Sequence, residues 1–353
     1  MKIAISSDFH LTEDEKHFER YYSLKSILEK LKEKNINTFI IAGDLFDRNY
    51  TNHFKFDSIA KKFNQINFFI IPGNHDHLLK NAQFEANNIK IIENTQLFKF
   101  SENLSILFVP FVPDTSMDEA IITYFKKLKE IPKKWILIGH GEYLNLNSPE
   151  NPYEKGNYMS LTKNILKRYK PHLTILGHIH KPMDFKDENL FYPGSPCSID
   201  HTEIGKRYFI ILNLHNLTLK REEVETKYLF FDENFFLMPY EDEENMVGKN
   251  IEKMIERWEI SESDLKKVNL KLNLIGFTND IKKVIQIITK KFKEKGINEI
   301  NLNRERLHTI TSKKNISMKL KIVNEVLKEI EKYKFENGLK DKVILNVIAK
   351  IFG

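Results

Sequence analysis

Apolar and polar positions follow two different periods along the first 215 residues. Short apolar runs, typical of buried strands, alternate with stretches in which apolar residues recur every three to four positions, as in amphipathic helices. The runs predict strands over residues 2–6, 38–42, 68–71, 104–109, 135–138 and 173–176, and the longer stretches predict helices over 18–31 and 54–63. Continuous apolar strands separated by amphipathic helices indicate a layered α/β fold with a largely buried sheet.

The pattern changes after residue 231. A hairpin is predicted just before this point, over residues 207–214 and 217–221. Beyond it, a helix ending near Trp258, an alternating strand over 268–274, a helix over 281–292 and a strand over 297–302 predict a second, smaller α/β unit. Two amphipathic helices are predicted over 318–333 and 341–351, and Gly338 between them is a suitable helix stop.

Composition narrows the class of protein. The chain has 353 residues, enough for about two domains, and 41% of them are hydrophobic, which excludes wholesale disorder. No apolar stretch reaches the roughly 18 residues of a membrane span. The single cysteine, Cys197, excludes an internal disulfide and a cysteine-based zinc site. We therefore expect a cytoplasmic protein with no membrane association.

Positive charge is concentrated toward the end of the chain. The net charge is only +6, but residues 281–353 hold 18 Lys and Arg against 8 Asp and Glu. Such a segment could bind a polyanion, although solvated helix faces in a Lys-rich protein explain the same pattern. Charge alone leaves both interpretations open.

The candidate chemistry lies directly after the predicted strands. Five separate segments carry Asp, His and Asn side chains: Asp8-Phe9-His10, Gly43-Asp44-Leu45-Phe46-Asp47, Gly73-Asn74-His75-Asp76, Gly139-His140-Gly141 and Gly177-His178-Ile179-His180. Ligands of open α/β sheets bind outside the carboxyl ends of the strands, so these side chains should meet at one edge.

The residue types in these segments predict a metal site. The i, i+2 spacing of Asp8 with His10, and of His178 with His180, puts both side chains on one side of an extended chain. Imidazole, carboxylate and amide ligands suit Mn, Fe or Zn, and one carboxylate can bridge two ions. Any one segment alone is explained as an ordinary turn; their conjunction at five strand ends favours a metal centre.

These motifs resemble those of the calcineurin-like metallophosphoesterases. The resemblance implies a four-layer α/β/β/α core with a dinuclear metal centre. Carried over position by position, it implies one metal bound by Asp8, His10 and His180, a second bound by Asn74, His140 and His178, and Asp44 as the bridge. It also implies that His75 contacts the phosphate and protonates the leaving oxygen, and that Asp76 orients and supports that imidazole.

A narrower resemblance, to the SbcD-type exonuclease branch of that superfamily, comes from Asp8-Phe9-His10-Leu11, Gly43-Asp44-Leu45-Phe46-Asp47 and Tyr192-Pro193-Gly194-Ser195-Pro196. It implies a nuclease domain over residues 1–231, a small DNA-capping α/β domain over 235–312 and a helical ATPase-binding segment over 313–353. The implied activity is metal-dependent cleavage of DNA, as a 3'-5' duplex exonuclease and single-strand endonuclease in double-strand break repair. The implied cofactors are two divalent ions of the Mn²⁺ type, and the implied partners are DNA, an SbcC-type coiled-coil ATPase and a second copy of the chain, associated with the nucleoid.

Several alternatives stay open at the level of sequence. The same scaffold serves phosphatases and phosphodiesterases acting on other substrates, and a DNA-end scaffold without catalysis is a further class. The role of Asp47 is undetermined, because the meiotic-recombination type of this branch often has His at this position. The apolar face of residues 318–330 predicts either packing on the last helix or docking of a partner. Cys197 and the histidines His53, His172, His201, His215 and His308 are expected to be structural.

Overall fold

The structure, a computed structural model, describes residues 1–13, 15–144, 158–199, 201–238, 242–309, 316–330, 332–333 and 339–352. The chain divides into two compact units. The first comprises Met1–Ser198 and Lys206–Lys227, and the second comprises Ile199–Gly205 and Tyr228–Gly353.

The first unit alternates strands and helices along most of its length. Its strands are β1 Lys2–Ser6, β2 Thr38–Ala42, β3 Asn67–Ile71, β4 Ile89–Ile91, β5 Gln96–Ser101, β6 Leu104–Val109, β7 Trp135–His140, β8 Tyr143–Leu144, β9 Leu161–Thr162, β10 Leu173–Gly177, β11 Met183–Phe185, β12 Leu190–Tyr192, β13 Tyr208–Asn213 and β14 Thr218–Glu223. Its helices are α1 Phe18–Glu33, α2 Phe54–Lys62, α3 Met117–Lys126 and α4 Lys163–Tyr169, with single 3₁₀ turns at Asn81–Gln83 and Lys186–Glu188.

Two six-stranded sheets form the centre of this unit. Their strand orders are β14-β13-β1-β2-β3-β4 and β11-β12-β10-β7-β6-β5. Strands β1, β2 and β3 run parallel in the first sheet, as do β6, β7 and β10 in the second. Parallel neighbours bring their carboxyl ends to the same edge, so the loops after β1, β2 and β3, and those after β7 and β10, lie side by side.

Three apolar clusters define four layers. Strand residues of both sheets, such as Ile5, Ile40, Ile138 and Ile175, pack together in one cluster. Helices α1 and α2 pack on the outer face of the first sheet, and α3 and α4 pack on the outer face of the second. Because each sheet is covered on both faces, its central strands are apolar throughout rather than alternating. This is the four-layer α/β/β/α core that the resemblance implied.

The second unit is built on a parallel three-stranded sheet. Its strands are β15 Leu229–Leu237, β16 Val268–Thr278 and β17 Glu299–Thr309, in that order, and its helices are α5 Glu243–Arg257, α6 Glu262–Leu265, α7 Ile281–Glu294, α8 Ile316–Ile330 and α9 Leu339–Phe352. The alternating residues of β16, including Leu270 and Leu272, face α5 and α7 in one apolar core. The predicted division between residues 231 and 235 falls inside β15.

The last two helices pack on each other and on the same sheet. Val323 and Ile330 of α8 meet Ile344 of α9 in a cluster that also contains Phe236 and Phe277 of the sheet. Packing on the last helix, one of the two interpretations of this apolar face, therefore occurs. Met318 and Ile322 are nevertheless 62% and 42% exposed, and the side chain of Leu320 lies outside the described residues.

The strands and helices predicted from periodicity are confirmed, including the β13–β14 hairpin. The prediction missed β4, β5 and α4, which are short or only half-buried. It also missed α3, although Ser116 caps this helix and its buried Met117, Ile121 and Phe125 recur every four positions. Across the part of the chain that is described, no helix combines the length and apolarity needed to span a membrane.

Candidate metal centre

Backbone hydrogen bonds hold together the loops that follow the parallel strands. The N–H of Asp8 donates to the carbonyl of Gly43 at 3.1 Å, and the N–H of His10 donates to the carbonyl of Asp44 at 3.0 Å. Across the second sheet, the N–H of Gly141 donates to the carbonyl of Gly177 at 3.2 Å. The loop after each strand is thus tied to the loop after its neighbour, and the functional side chains inherit that fixed spacing.

The backbone is strained at the residues that carry the candidate ligands. Asp8, His10, Asp44 and His178 have φ values of 58°, 46°, 50° and 96°, in the left-handed region that most residues avoid. Gly43, at φ 91°, precedes Asp44, and a Cβ there would lie 2.0 Å from the ring of His140. Strain of this kind persists only where surrounding structure enforces it, and it clusters at functional sites.

The seven predicted metal ligands lie together in one largely buried cluster. Six of them, together with His75, form three overlapping groups. Within each group the potential ligand atoms lie within 4.8 Å of one another: Asp8–His10–His180, His10–Asp44–His75 and Asp44–His140–His178. Asp44 Oδ2 lies 3.7 Å from His10 Nε2 on one side and 3.4 Å from His140 Nε2 on the other. Asp44 therefore joins the two halves of the cluster, the position that a bridging carboxylate requires.

Asn74, the seventh predicted ligand, completes the second half. Asn74 Oδ1 lies 2.8 Å from His140 Nε2 and 3.1 Å from His178 Nδ1. In the first half, His10 Nε2 and His180 Nε2 lie 3.0 Å apart. Imidazole nitrogens, carboxylate oxygens and one amide oxygen, held this close together, fit divalent transition ions better than Ca²⁺ or Mg²⁺. The residues present thus fit a pair of such ions.

The ionisation of the cluster favours metal binding in one half and opposes it in the other. Burial lowers the pKa of His10 well below its usual range, which leaves the neutral imidazole that a metal needs. Burial acts in the same direction on His140, but the Asp44 carboxylate outweighs it and raises the pKa of His140 to about 9. In turn, the protonated His140 holds the pKa of Asp44 below its ordinary value despite burial, so Asp44 is ionised.

The carboxylate beside His75 is Asp47, not Asp76. His75 Nδ1 lies 3.1 Å from Asp47 Oδ1. Both oxygens of Asp76 instead accept backbone hydrogen bonds, from the N–H of Gly73 at 2.7 Å and from that of Phe46 at 3.1 Å. We therefore revise the predicted partner of the His75 imidazole from Asp76 to Asp47, and Asp76 takes the structural role of joining the two ligand loops.

Asp47 also contacts a buried arginine. Arg20, on the buried face of α1, donates to Asp47 Oδ2 at 3.2 Å and to the backbone carbonyl of His10. Burial acts to raise the pKa of Asp47, but the hydrogen bond with His75 and the nearby charges keep it below its ordinary value. Arg20 was not predicted from sequence. The feature that could have identified it is its position as a charged residue on the apolar face of a predicted helix.

Two further residues support the ligands from outside the cluster. Glu142 Oε1 lies 3.5 Å from His178 Nε2, whereas Asn74 faces the other ring nitrogen, Nδ1. A carboxylate at this position fixes the tautomer and orientation of a ligand imidazole. Arg207 donates to the carbonyls of Ser195 and His180, so it anchors the loop that carries the last ligand.

The other residues singled out from sequence lie away from this chemistry. The ring of His53 lies 4.3 Å from that of Phe46, and Cys197 is buried, which raises its pKa to about 12. Of the positively charged segment predicted from sequence, Lys290, Lys291 and Lys295 lie 4.0, 3.8 and 2.9 Å from acidic side chains of α5. Other cations of this segment are exposed and make no ion pair with the described residues: Lys282, Lys283, Lys293, Arg304 and Arg306.

Comparison with known proteins identifies the class. The family model described as Calcineurin-like phosphoesterase matches residues 1–182, just over half of the chain, and the chain belongs to that family. Membership implies a hydrolase of phosphoesters whose fold uses divalent metals, in agreement with the cluster described above.

Similarity to individual proteins is weaker than the match to the family model. Two curated relatives, each named as the SbcD component of the nuclease SbcCD, come from Staphylococcus epidermidis and Staphylococcus saprophyticus. Each is 24% identical to this chain, over 264 and 272 residues that cover 63% and 65% of it and 68% of each relative. A solved structure described as a novel archaeal phosphodiesterase matches at a TM-score of 0.36 and 15% identity, covering 64% of this chain and 100% of its own.

Proposed function

We propose that this protein is a metal-dependent DNA nuclease, acting as a 3'-5' duplex exonuclease and single-strand endonuclease in double-strand break repair. The observation that carries the proposal is the buried cluster in which Asp44 lies between His10 and His140. Such a centre suits hydrolysis of a phosphoester, and the two relatives named as nuclease components favour a nucleic acid as the ester.

In the proposed centre, Asp8, His10 and His180 would hold one divalent ion, Asn74, His140 and His178 would hold a second, and Asp44 would be shared between them. We propose Mn²⁺ as the physiological metal, since mixed nitrogen and oxygen ligands suit it. When bound, the two ions supply an activated water and neutralise negative charge on the phosphoryl oxygens.

The chain's own residues supply the proton chemistry. His75 lies at the edge of the cluster, with its ring 4.5 Å from that of His10. The ionised Asp47 at its Nδ1 orients the ring and stabilises its protonated form. We infer that protonated His75 delivers a proton to the leaving sugar oxygen, and that Asp47 and Arg20 act as positioning residues behind it.

For the second unit we propose two roles. Residues 235–312 would cap DNA through the cations Lys282, Lys283 and Lys293 of α7, by sequence-indifferent phosphate contacts. Residues 313–353 would dock an SbcC-type coiled-coil ATPase. The exposed Met318 and Ile322, one turn apart on α8, support that role. We further propose a homodimer that works in the cytoplasm, at the nucleoid.

A nuclease assay tests the proposal and its main alternative. Wild type and His75→Ala are compared on end-labelled linear duplex and single-stranded DNA with Mn²⁺, Mg²⁺ and Zn²⁺, and in parallel on a chromogenic phosphomonoester. We expect Mn²⁺-dependent cleavage of DNA by wild type alone. Turnover of the monoester without any cleavage of DNA would contradict the nuclease proposal and favour a phosphatase.

A further inference from the structure

A row of ring side chains leads away from the metal cluster. The ring of His178, a candidate ligand, lies 5.3 Å from that of Tyr158. Tyr158 lies 6.1 Å from Phe111, and Phe111 lies 6.3 Å from His77, all measured between ring centroids. We call Tyr158, Phe111 and His77 the ring row. Burial decreases from the cluster outward: His178 is buried, Tyr158 and Phe111 are half-buried, and His77 is exposed.

The ring row lies at the functional edge of the sheets. His77 belongs to the loop after β3, which also carries Asn74 and His75, and Phe111 follows β6 in the second sheet. The N–H of Phe111 donates to the carbonyl of Pro72 at 3.0 Å, so the two loops are joined. The backbone carbonyl of Tyr158 accepts the N–H of Glu142, in the loop that follows His140. Each ring is thus fixed to a loop that carries or adjoins a ligand.

Two apolar side chains adjacent in sequence to the ring row are exposed. Leu78, next to His77, is 71% exposed, and Val112, next to Phe111, is 40% exposed. Apolar residues this exposed contribute little to the core, and they suit contact with a flat apolar part of a ligand. A phosphate alone does not need such a surface.

We propose that the ring row stacks unpaired nucleobases adjacent to the cleaved phosphodiester. This inference rests on the proposed nuclease function and names its substrate as a strand whose bases are free at the cleavage point. Aromatic faces bind any base by stacking, whereas bases inside a duplex are already stacked on each other. The phosphate lies at the metal cluster, and the neighbouring bases lie outward over Tyr158, Phe111 and His77.

The test compares a single-stranded oligonucleotide with one of the same length whose nucleotides near the cleavage point are abasic. The readout is the ratio of kcat/KM for the two substrates with Mn²⁺. We expect wild type to prefer the strand with bases, and Phe111→Ala to lower that ratio about tenfold or more, in the range that stacking of one base on one ring provides. Phe111→Trp should retain the ratio, and Phe111→Leu, which keeps apolar bulk without a ring, should not.

Binding of an uncleaved strand is measured separately from turnover. A phosphorothioate-linked strand with 2-aminopurine next to its end should lose fluorescence on binding wild type, because stacking quenches this base, and should lose much less with Phe111→Ala. Phe54→Ala is the matched control, since Phe54 is 74% exposed on α2 and lies outside the ring row. Thermal unfolding and metal content establish that each variant is folded and loaded.

The outcomes separate this inference from the function on which it rests. If wild type cleaves DNA but Phe111→Ala retains both the substrate ratio and the quenching, the ring row does not bind bases and the inference is overturned. If wild type neither cleaves nor binds any oligonucleotide, the nuclease proposal itself fails. The assay of wild type alone shows this before any variant is made.

Discussion

The exchange of roles between Asp47 and Asp76 provides the sharpest test of the site. Asp76→Ala removes the acceptor of two buried backbone N–H groups, those of Gly73 and Phe46. Each buried donor left without a partner costs about 1–3 kcal/mol, so the free energy of unfolding should fall by about 2–6 kcal/mol. Asp47→Ala removes a side chain that is 36% exposed, but it leaves the buried Arg20, whose side chain is 5% exposed, without its carboxylate partner, so the free energy of unfolding should also fall, by about 1–3 kcal/mol.

Activity, rather than stability, should separate the two variants. Asp47→Ala leaves the His75 ring without its carboxylate, and kcat should fall about 10- to 100-fold, as when the partner of a functional imidazole is removed. Asp76→Ala should retain more turnover per folded molecule. Stability is measured by urea unfolding of the metal-free protein at about pH 4. At that pH the Asp76 carboxyl is neutral in the folded protein, because burial and the charge of Asp44 raise its pKa to about 7. The unfolded chain is then near the ordinary pKa of 3.8, so protonation of Asp76 adds little to the cost of folding the wild type.

A control with the same chemistry lies outside the site. Asp57 accepts the backbone N–H groups of Glu85 and Ala86 at 2.9 and 2.8 Å. Asp57→Ala should therefore lower stability by a similar amount without changing turnover per folded molecule. The assignment is refuted if Asp76→Ala unfolds at the same urea concentration as wild type, or if it loses more kcat than Asp47→Ala does.

Four further results are expected. His75→Ala should retain its metal content, measured by elemental analysis, but lose most turnover; equal loss of metal would contradict its role as a proton donor. Asp44→Ala should lose both ions, because Asp44 is shared between the two halves of the cluster, and retention of two ions would exclude it as the bridge. The apparent affinity for metal should fall as pH drops below about 9, by up to about tenfold per pH unit. The reason is that protonated His140 must release its proton before it can bind a metal ion. Calorimetry in buffers of different ionisation enthalpy detects the released proton. The stability advantage of the metal-free wild type over Asp76→Asn, followed by urea unfolding, should fall as pH rises from about 4 to 7, by about 3 kcal/mol. The reason is that the folded-state pKa of Asp76, about 7, is above the ordinary 3.8, so this carboxyl binds more protons in the folded protein than in the unfolded chain; an advantage that rises with pH would contradict the prediction.

Much of the molecule follows from sequence because its determinants are local. The central strands are apolar on both faces and the helices carry one apolar stripe, so their type is evident from periodicity. The candidate ligands follow strand ends directly, and parallel pairing brings strand ends together, so Asp8, Asn74 and His178 could be grouped before any coordinates. The strands and helices that periodicity missed, such as β5 and α4, have few apolar positions of their own and form on contact with their neighbours.

Tertiary structure alone decided which carboxylate contacts the His75 imidazole. Asp76 adjoins His75 in sequence, yet adjacent side chains point in different directions, and the carboxylate that reaches the imidazole belongs to Asp47, 28 positions away. The same holds for Arg20 behind Asp47 and for the rings of His77, Phe111 and Tyr158. Residue spacing determines which face a side chain occupies within one element, but contact between loops depends on how the sheets pack, and no local pattern encodes that.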